Sequence, residues 1–294
     1  MNTAVPTPGA RPAAGPPGLE ETRALWNSTD PVALGMLADE VRRRRHGDRV
    51  TYVRVAAVDL AQAVPAALPE TAGEVVVTGR PASLAEAAAF LREVVRTAGG
   101  TPVTAFSLAD LEQLSGGPRG LPATLRALAE AGVAGVAEVP LDVLADRRRA
   151  LEALAEAGLP AVRFTVGRPP LDVPAWLHEL RALQKATGVM PVLAPLSREP
   201  DPNEPTTGYA DVKLVALSRI VLDNVSSIQV DWRRYGPKLA QVALLFGADD
   251  LDGVPAVDDL SEGRRRSPIE EVRRNIQAAS LRPVERDGRF AVRE

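Results

Sequence analysis

Short β-rich runs alternate with amphipathic runs along most of the 294 residues, and this alternation constrains the fold more than any other feature. The β-rich runs lie at 50–58, 74–78, 102–106, 133–139, 161–166, 190–194 and 227–232. Helical patterns fit 84–97, 121–131, 142–157, 172–186, 209–224 and 236–246, with a last helix opening at Ser267-Pro268. Asp30 before Pro31 predicts an N-cap, and Gly47, Gly132 and Gly158 predict stops. Ser83 followed by Glu86 reads as a capping box, and Ser107 with Asp110 as a weaker one. Strands separated by crossover helices form parallel sheets with right-handed connections. Six or seven such units predict a TIM-like (β/α) barrel, closed or partly closed, with extra N- and C-terminal helices. A doubly wound open sheet is the alternative. Residues 1–18, rich in Pro, Ala and Gly, read as a disordered tail, and 19–294 as a single domain.

The residue inventory removes whole classes of chemistry. The chain has no cysteine, so thiolate zinc sites, disulfides, cysteine nucleophiles and cysteine-held iron–sulfur clusters are excluded. Two histidines, His46 and His178, leave no multi-histidine metal site, and His178 reads as a helix-packing residue. A net charge of −3 gives no field that favours nucleic acid. The basic run 42–45 precedes Gly47 and reads as a helix C-terminal cation cluster. No G-x-G-x-x-G or Walker A run follows a strand. No apolar stretch is long enough for a bilayer and no secretory signal pattern opens the chain, so a cytoplasmic location is expected.

Strand phase selects the candidate site. In a barrel, alternate residues face the lumen and the helix layer. Phe164 and Val166 facing the helices turn Arg163 inward. Ile228, Val230 and Trp232 facing outward turn Gln229 and Asp231 inward. Weaker versions of the argument place Arg54, Thr78 and Glu138 inward. Barrel chemistry sits at the carboxyl ends of strands, where Arg198 lies. Arg54, Thr78, Glu138, Arg163, Arg198, Gln229 and Asp231 are therefore the candidate ligand-binding set. An unpaired lumenal arginine costs several kcal/mol, roughly 3–5, and Glu138 and Asp231 are its expected partners. The set reads either as a pocket for a small anionic or hydroxylated metabolite or as a salt-bridge plug. No residue is assigned a catalytic or metal-binding role. Asp249, Asp250 and Asp252 in "LLFGADDLDG" (244–253) fall at an inferred helix end and lack the spacing of a calcium loop.

Four stretches carry a resemblance: "VTYV" in the first strand, "IVLDNVSSIQVDW" at 220–232, "GPKLAQVALLFGADDLDG" at 236–253 and "SPIEEVRRNIQAASLRPVERD" at 267–287. They resemble the futalosine-pathway radical S-adenosylmethionine (SAM) enzymes of menaquinone biosynthesis. Aminofutalosine synthase is the nearest type; the dehypoxanthine futalosine cyclase and the deazaflavin synthase subunits are its cousins. The resemblance implies a radical SAM-type barrel. The family places C-x-x-x-C-x-x-C after the first strand, but here "VDLAQAVPAALPETAG" (58–73) carries no cysteine. The family's glycine-rich SAM cradle is replaced by "VAEVPLDVL" (136–144), where Val139, Pro140 and Leu141 are expected to fill the space. The chain thus reads as a degenerate member without cofactor. The expected role is a pseudoenzyme that partners an active radical SAM paralogue or a second copy of itself, or that binds a pathway metabolite. The alternative is a cluster-independent enzyme acting on a small anionic metabolite. A polar loop at 197–209 is expected over the barrel mouth.

Overall fold

A computed structural model describes residues 15–198, 208–257 and 268–293. Two helices open it, α1 (Leu19–Trp26) and α2 (Pro31–His46). The chain then runs β1 (Arg49–Asp59), β2 (Glu74–Thr78), α3 (Leu84–Ala98), β3 (Val103–Ser107), α4 (Leu108–Leu114), α5 (Leu121–Glu130), β4 (Gly135–Pro140) and α6 (Arg147–Ala157). It continues through β5 (Phe164–Thr165), α7 (Val173–Thr187), β6 (Val192–Leu193), α8 (Tyr209–Val221), β7 (Ser227–Asp231) and α9 (Trp232–Leu245). It ends with β8 (Asp250–Pro255), α10 (Pro268–Ala278) and β9 (Arg282–Arg286). Most of the expected tail, 1–14, the greater part of the expected mouth loop, 199–207, and Ser267 lie outside the described residues.

The strands form a parallel barrel in the order β5-β4-β3-β2-β1-β8-β7-β6. The two ends of that order meet. Ala194 N–H donates to Phe164 O at 2.8 Å, Arg198 N–H to Val166 O at 3.0 Å, and Val166 bridges Ser197. This seam joins the two shortest strands, so the barrel is closed at its carboxyl end by few bonds. β9 stands outside the ring, parallel to the first half of β1, from Arg49↔Arg282 to Val53↔Arg286. β1 is long enough to hold β9 beside its amino half and β2 beside its carboxyl half.

Local signals explain most boundaries. The Asp30 side chain accepts from Ala33 N–H at 2.9 Å, and Ser83 accepts from Glu86 N–H at 3.2 Å, satisfying first-turn donors. Arg42 and Arg45 close the end of α2: Arg42 donates to Gly47 O at 3.2 Å, and Arg45 reaches Asp223 O at 2.5 Å. His178 contacts the Thr22 hydroxyl at 2.9 Å and packs α7 on α1. The main apolar core lies between strands and helices, with Val50, Tyr52, Val77, Phe164, Ile228, Val230 and Leu251 among its strand residues. Among the described residues, no helix is long and apolar enough to cross a membrane.

Candidate functional site in the barrel lumen

Of the three aspartates of "LLFGADDLDG", Asp250 and Asp252 lie in β8 and Asp249 immediately precedes it, and each meets a different arginine. Asp249 turns outward, pairs with the fully buried Arg219 of α8 and accepts from Ile228 N–H at 2.8 Å. Asp250 faces the lumen floor, where Arg286 of β9 donates to both its oxygens at 2.6 and 2.7 Å. Thr51 and the Gln229 amide complete that carboxylate's shell at 2.5 and 2.7 Å. Asp252, one lumenal step higher, pairs with Arg163 of the β5 segment. Buried carboxylates pull one guanidinium each, because a lone charge in the interior is costly.

Register fixes which side each residue takes. Thr51 pairs with Asp250 in the ladder, Val55 with Glu74, Val76 with Thr104 and Gln229 with Asp250, so these positions share the lumenal phase. Thr104 donates to Glu74 Oε1 at 2.5 Å, and Thr165 donates to Glu138 Oε1 at 2.5 Å. Four carboxylates, Asp252, Glu74, Asp231 and Glu138, act on Arg163. Burial alone lowers the pKa of that guanidinium, but their combined field wins and raises it. Burial pushes the Glu74 carboxyl up, and repulsion from Asp252 adds to the shift. Asp231 is raised by the same two causes in the same order. At the rim, burial raises Asp142, but forked donation from Arg198 at 2.6 and 3.3 Å holds it below its ordinary value. Arg198 Nε also stands 3.8 Å from Glu138, so it ties the end of β6 to the end of β4 across the seam.

Five of the seven sequence-selected residues come together here, and Thr78 shares only their lumenal phase. Glu138, Arg163 and Gln229 line the lumen with Asp231 above them, Arg198 sits at the rim, and Thr78 shares the phase of Glu74 at the exposed end of β2. Arg54 does not join them. It pairs in register with Val254, whose side chain lies in the helix-side core, and its Nη2 donates to Ala256 O at 2.8 Å. The error lay in the phase: Val50, Tyr52 and Val58 of β1 face the helices, and Arg54 falls on their parity. Arg163 also takes a different partner from the expected Glu138 or Asp231, because Asp252 projects from a strand that the sequence hid. Of the three residues expected to fill the cofactor space, Val139 and Leu141 belong to the helix-side core, leaving Pro140 on the lumenal phase beside Thr165.

Glu74, Thr104, Asp250, Asp252 and Arg286 are lumenal residues that the sequence reading missed. Glu74 was within reach, since it lies two steps of alternation from Thr78. Arg286 was not, because nothing in "RPVER" marks a strand that seals a barrel floor. The space left is small. A cavity of about 40 Å³ opens at the mouth between Glu138, Arg163, Thr165, Gln229, Asp231 and Tyr235, among others.

Residues 196–294 match the family model for the CofH/MqnC C-terminal region. The C-terminal third of the chain is therefore similar to the CofH/MqnC enzymes and related to the futalosine-pathway radical SAM enzymes, in a chain without cysteine. A 5-amino-6-(D-ribitylamino)uracil–L-tyrosine 4-hydroxyphenyl transferase of Methanosarcina barkeri is 36% identical over 126 residues, covering 37% of this chain and 33% of the relative. The aminodeoxyfutalosine synthase of Thermus thermophilus is 34% identical over 129 residues, covering 39% of this chain and 34% of that one. The chain thus spans about a third of the length of the curated relatives it matches. In fold, the chain is similar to methylornithine synthase (TM-score 0.65, 13% identity, 90% of this chain and 94% of that one). It is also similar to the FeFe-hydrogenase maturase HydG of Carboxydothermus hydrogenoformans (TM-score 0.62, 14% identity, 92% and 76%). A cluster held by thiolates does not fit this chain. The segment that joins β1 to β2 carries neither thiol nor imidazole; Leu60 N–H extends the parallel ladder to Thr78 O at 3.0 Å, and the chain turns just beyond it, with Gln62 N–H donating to Asp59 O at 3.0 Å.

Proposed function

We propose that this chain is a pseudoenzyme: a radical SAM-like barrel that performs no radical chemistry and acts by binding. The observation that carries the reading is the absence of cysteine from a barrel whose lumen is filled by ion pairs. A chain with no thiolate carries, in its lumen, the pairs Arg163–Asp252 and Arg286–Asp250. Its role is that of a partner or regulatory subunit to an active radical SAM paralogue or to a second copy, or of a holder of a small pathway metabolite. The C-terminal third, which carries the family likeness, also supplies β8 and β9 and hence Asp250, Asp252 and Arg286. Selection on a barrel that must stay folded and recognisable to a partner accounts for that retention without catalysis.

Anaerobic reconstitution with iron and sulfide tests the reading. Iron and sulfide far below one cluster per chain after desalting, and no reductive cleavage of SAM, are the expected outcome. Stoichiometric iron and sulfide together with SAM cleavage would overturn it.

A further inference from the structure

The metabolite-holding branch of that reading leaves open what kind of group the barrel mouth accepts, and the buried polar atoms bear on it. Gln229 is 1% exposed and lines the mouth cavity. Its Nε2 donates to Asp250 Oδ2 at 2.7 Å. An ionised carboxylate only accepts, so the amide orientation is fixed and Oε1 is the atom turned away. That buried Oε1 has no partner. An acceptor left without a donor in the interior costs about 1–3 kcal/mol. Two carboxylates line the same cavity, Glu138 and Asp231. Arg163 pairs with Asp252 and lies in the field of both, and Arg198 Nε stands 3.8 Å from Glu138 Oε1. Asp231 gives one oxygen to Arg234 N–H at 2.8 Å, and Glu138 takes Thr165 on one oxygen, so each has lone pairs to spare. The orphan atom therefore wants a donor, and the carboxylate oxygens beside it can accept from the same group.

The geometry points to a binding site for a primary ammonium group at the barrel mouth, held by Gln229 Oε1, Glu138 and Asp231. A –NH₃⁺ group offers three donors, which equals the three acceptors on offer. Size agrees. A water needs roughly 10–15 Å³, so a cavity of about 40 Å³ admits a headgroup of two or three heavy atoms. Tyr235 and Arg234 stand at the same cavity, where the rest of an amine ligand would leave the barrel. The orphan Nε of Arg163 is a donor and takes a water in the remaining space. The ligand class is thus a small primary amine, or a larger molecule that inserts an aminomethyl end. An anionic headgroup offers no donor to Gln229 Oε1 and would meet Glu138 and Asp231 in the same cavity.

Thermal unfolding of the protein as purified, without iron, tests this, with methylammonium, tetramethylammonium, potassium and acetate salts at equal ionic strength. Methylammonium at 100 mM is expected to raise Tm by about 2 °C or more above the tetramethylammonium and potassium samples. The shift is expected to vanish in Glu138→Gln/Asp231→Asn, in which the Asn keeps the α9 cap. Equal shifts for methylammonium and potassium would reduce the site to general cation screening and overturn the proposal. A larger shift with acetate, or an undiminished methylammonium shift in the folded double variant, would overturn it too. If the double variant does not fold, Gln229→Leu read in the same way replaces it. The assay uses iron-free protein, so its failure leaves the reconstitution result, and with it the pseudoenzyme reading, standing or falling separately.

Discussion

Replacing Arg286 with Met isolates the contribution of the barrel-floor ion pair. Arg286 and Asp250 are 1% and 0% exposed, and both carboxylate oxygens accept from the guanidinium at 2.6 and 2.7 Å. Methionine keeps an unbranched stem beneath Phe290, whose ring centre lies 3.8 Å from the guanidinium carbon. The variant therefore removes charge and donors with little loss of volume. Asp250 would keep Thr51 and Gln229 but lose its only charged partner at hydrogen-bond distance among the described residues. Removing one member of a buried pair costs about 3–5 kcal/mol. That is a large share of the roughly 5–15 kcal/mol that holds an ordinary domain folded. Urea unfolding followed by circular dichroism at pH 7 should show this loss with an unchanged m value. Adding Asp250→Asn should recover half of it or more, because the stranded charge is gone. The pH dependence gives an independent check. In the parent protein, burial raises the Asp250 carboxyl, but Arg286 overrides it and holds the pKa low. A lowered folded pKa means the stabilisation is present above the unfolded carboxylate pKa and is lost as pH falls through the folded one. Without Arg286, burial dominates and the sign reverses, so the deficit of the variant should shrink as pH drops from 7 toward the carboxylate range near about 4. A loss below about 1 kcal/mol that does not change with pH would refute the argument and imply that water reaches the floor.

Two further changes probe the lumen and the frame. Glu74→Gln should stabilise the protein at neutral pH: burial and Asp252 raise the Glu74 carboxyl, so the native state holds its proton longer and loses stability as pH rises through that shift. Melting curves from pH 5 to 8 should show the gain growing with pH, and a flat difference would count against it. Asp30→Ala removes the α2 cap and should cost about 1 kcal/mol, read by the same urea titration.

The fold was legible where apolar residues alternate with polar ones. β2 matches its expected span of 74–78, and β1, β3, β4 and β7 fall within one or two residues of theirs. Glycine stops and capping side chains fixed the helices around them. β8 was not legible, because "DLDGVP" is built from residues that disfavour strands when judged alone. Its aspartates are tolerated there only because Arg286 and Arg163 arrive from β9 and the β5 segment, which is tertiary information. β9 hid for the same reason: its charges look like solvent-facing loop until Arg286 is seen turned into the floor. The inward placement of Arg54 failed for a simpler reason. Nearly every position in 50–58 is apolar or small, so the sequence carries no parity signal strong enough to choose a face.

The fate of the three aspartates explains why the most recognisable stretch of the chain says so little about chemistry. Asp249 anchors Arg219 and the Ile228 amide between barrel and helices, Asp250 anchors the floor through Arg286, and Asp252 anchors the seam-side strand through Arg163. Loss of Asp249 or Asp250 would strand a fully buried guanidinium at a cost of about 3–5 kcal/mol, and loss of Asp252 would leave Arg163 to Glu74, Asp231 and Glu138. That penalty depends on folding alone and is the same whether or not a cluster has ever occupied the mouth. The segment after β1 holds its backbone without thiols, through Leu60 N–H to Thr78 O and Gln62 N–H to Asp59 O, both at 3.0 Å. Under the proposed pseudoenzyme reading, thiolates are dispensable and these aspartates are not, so "ADDLDG" in a chain without cysteine is the pattern that reading expects.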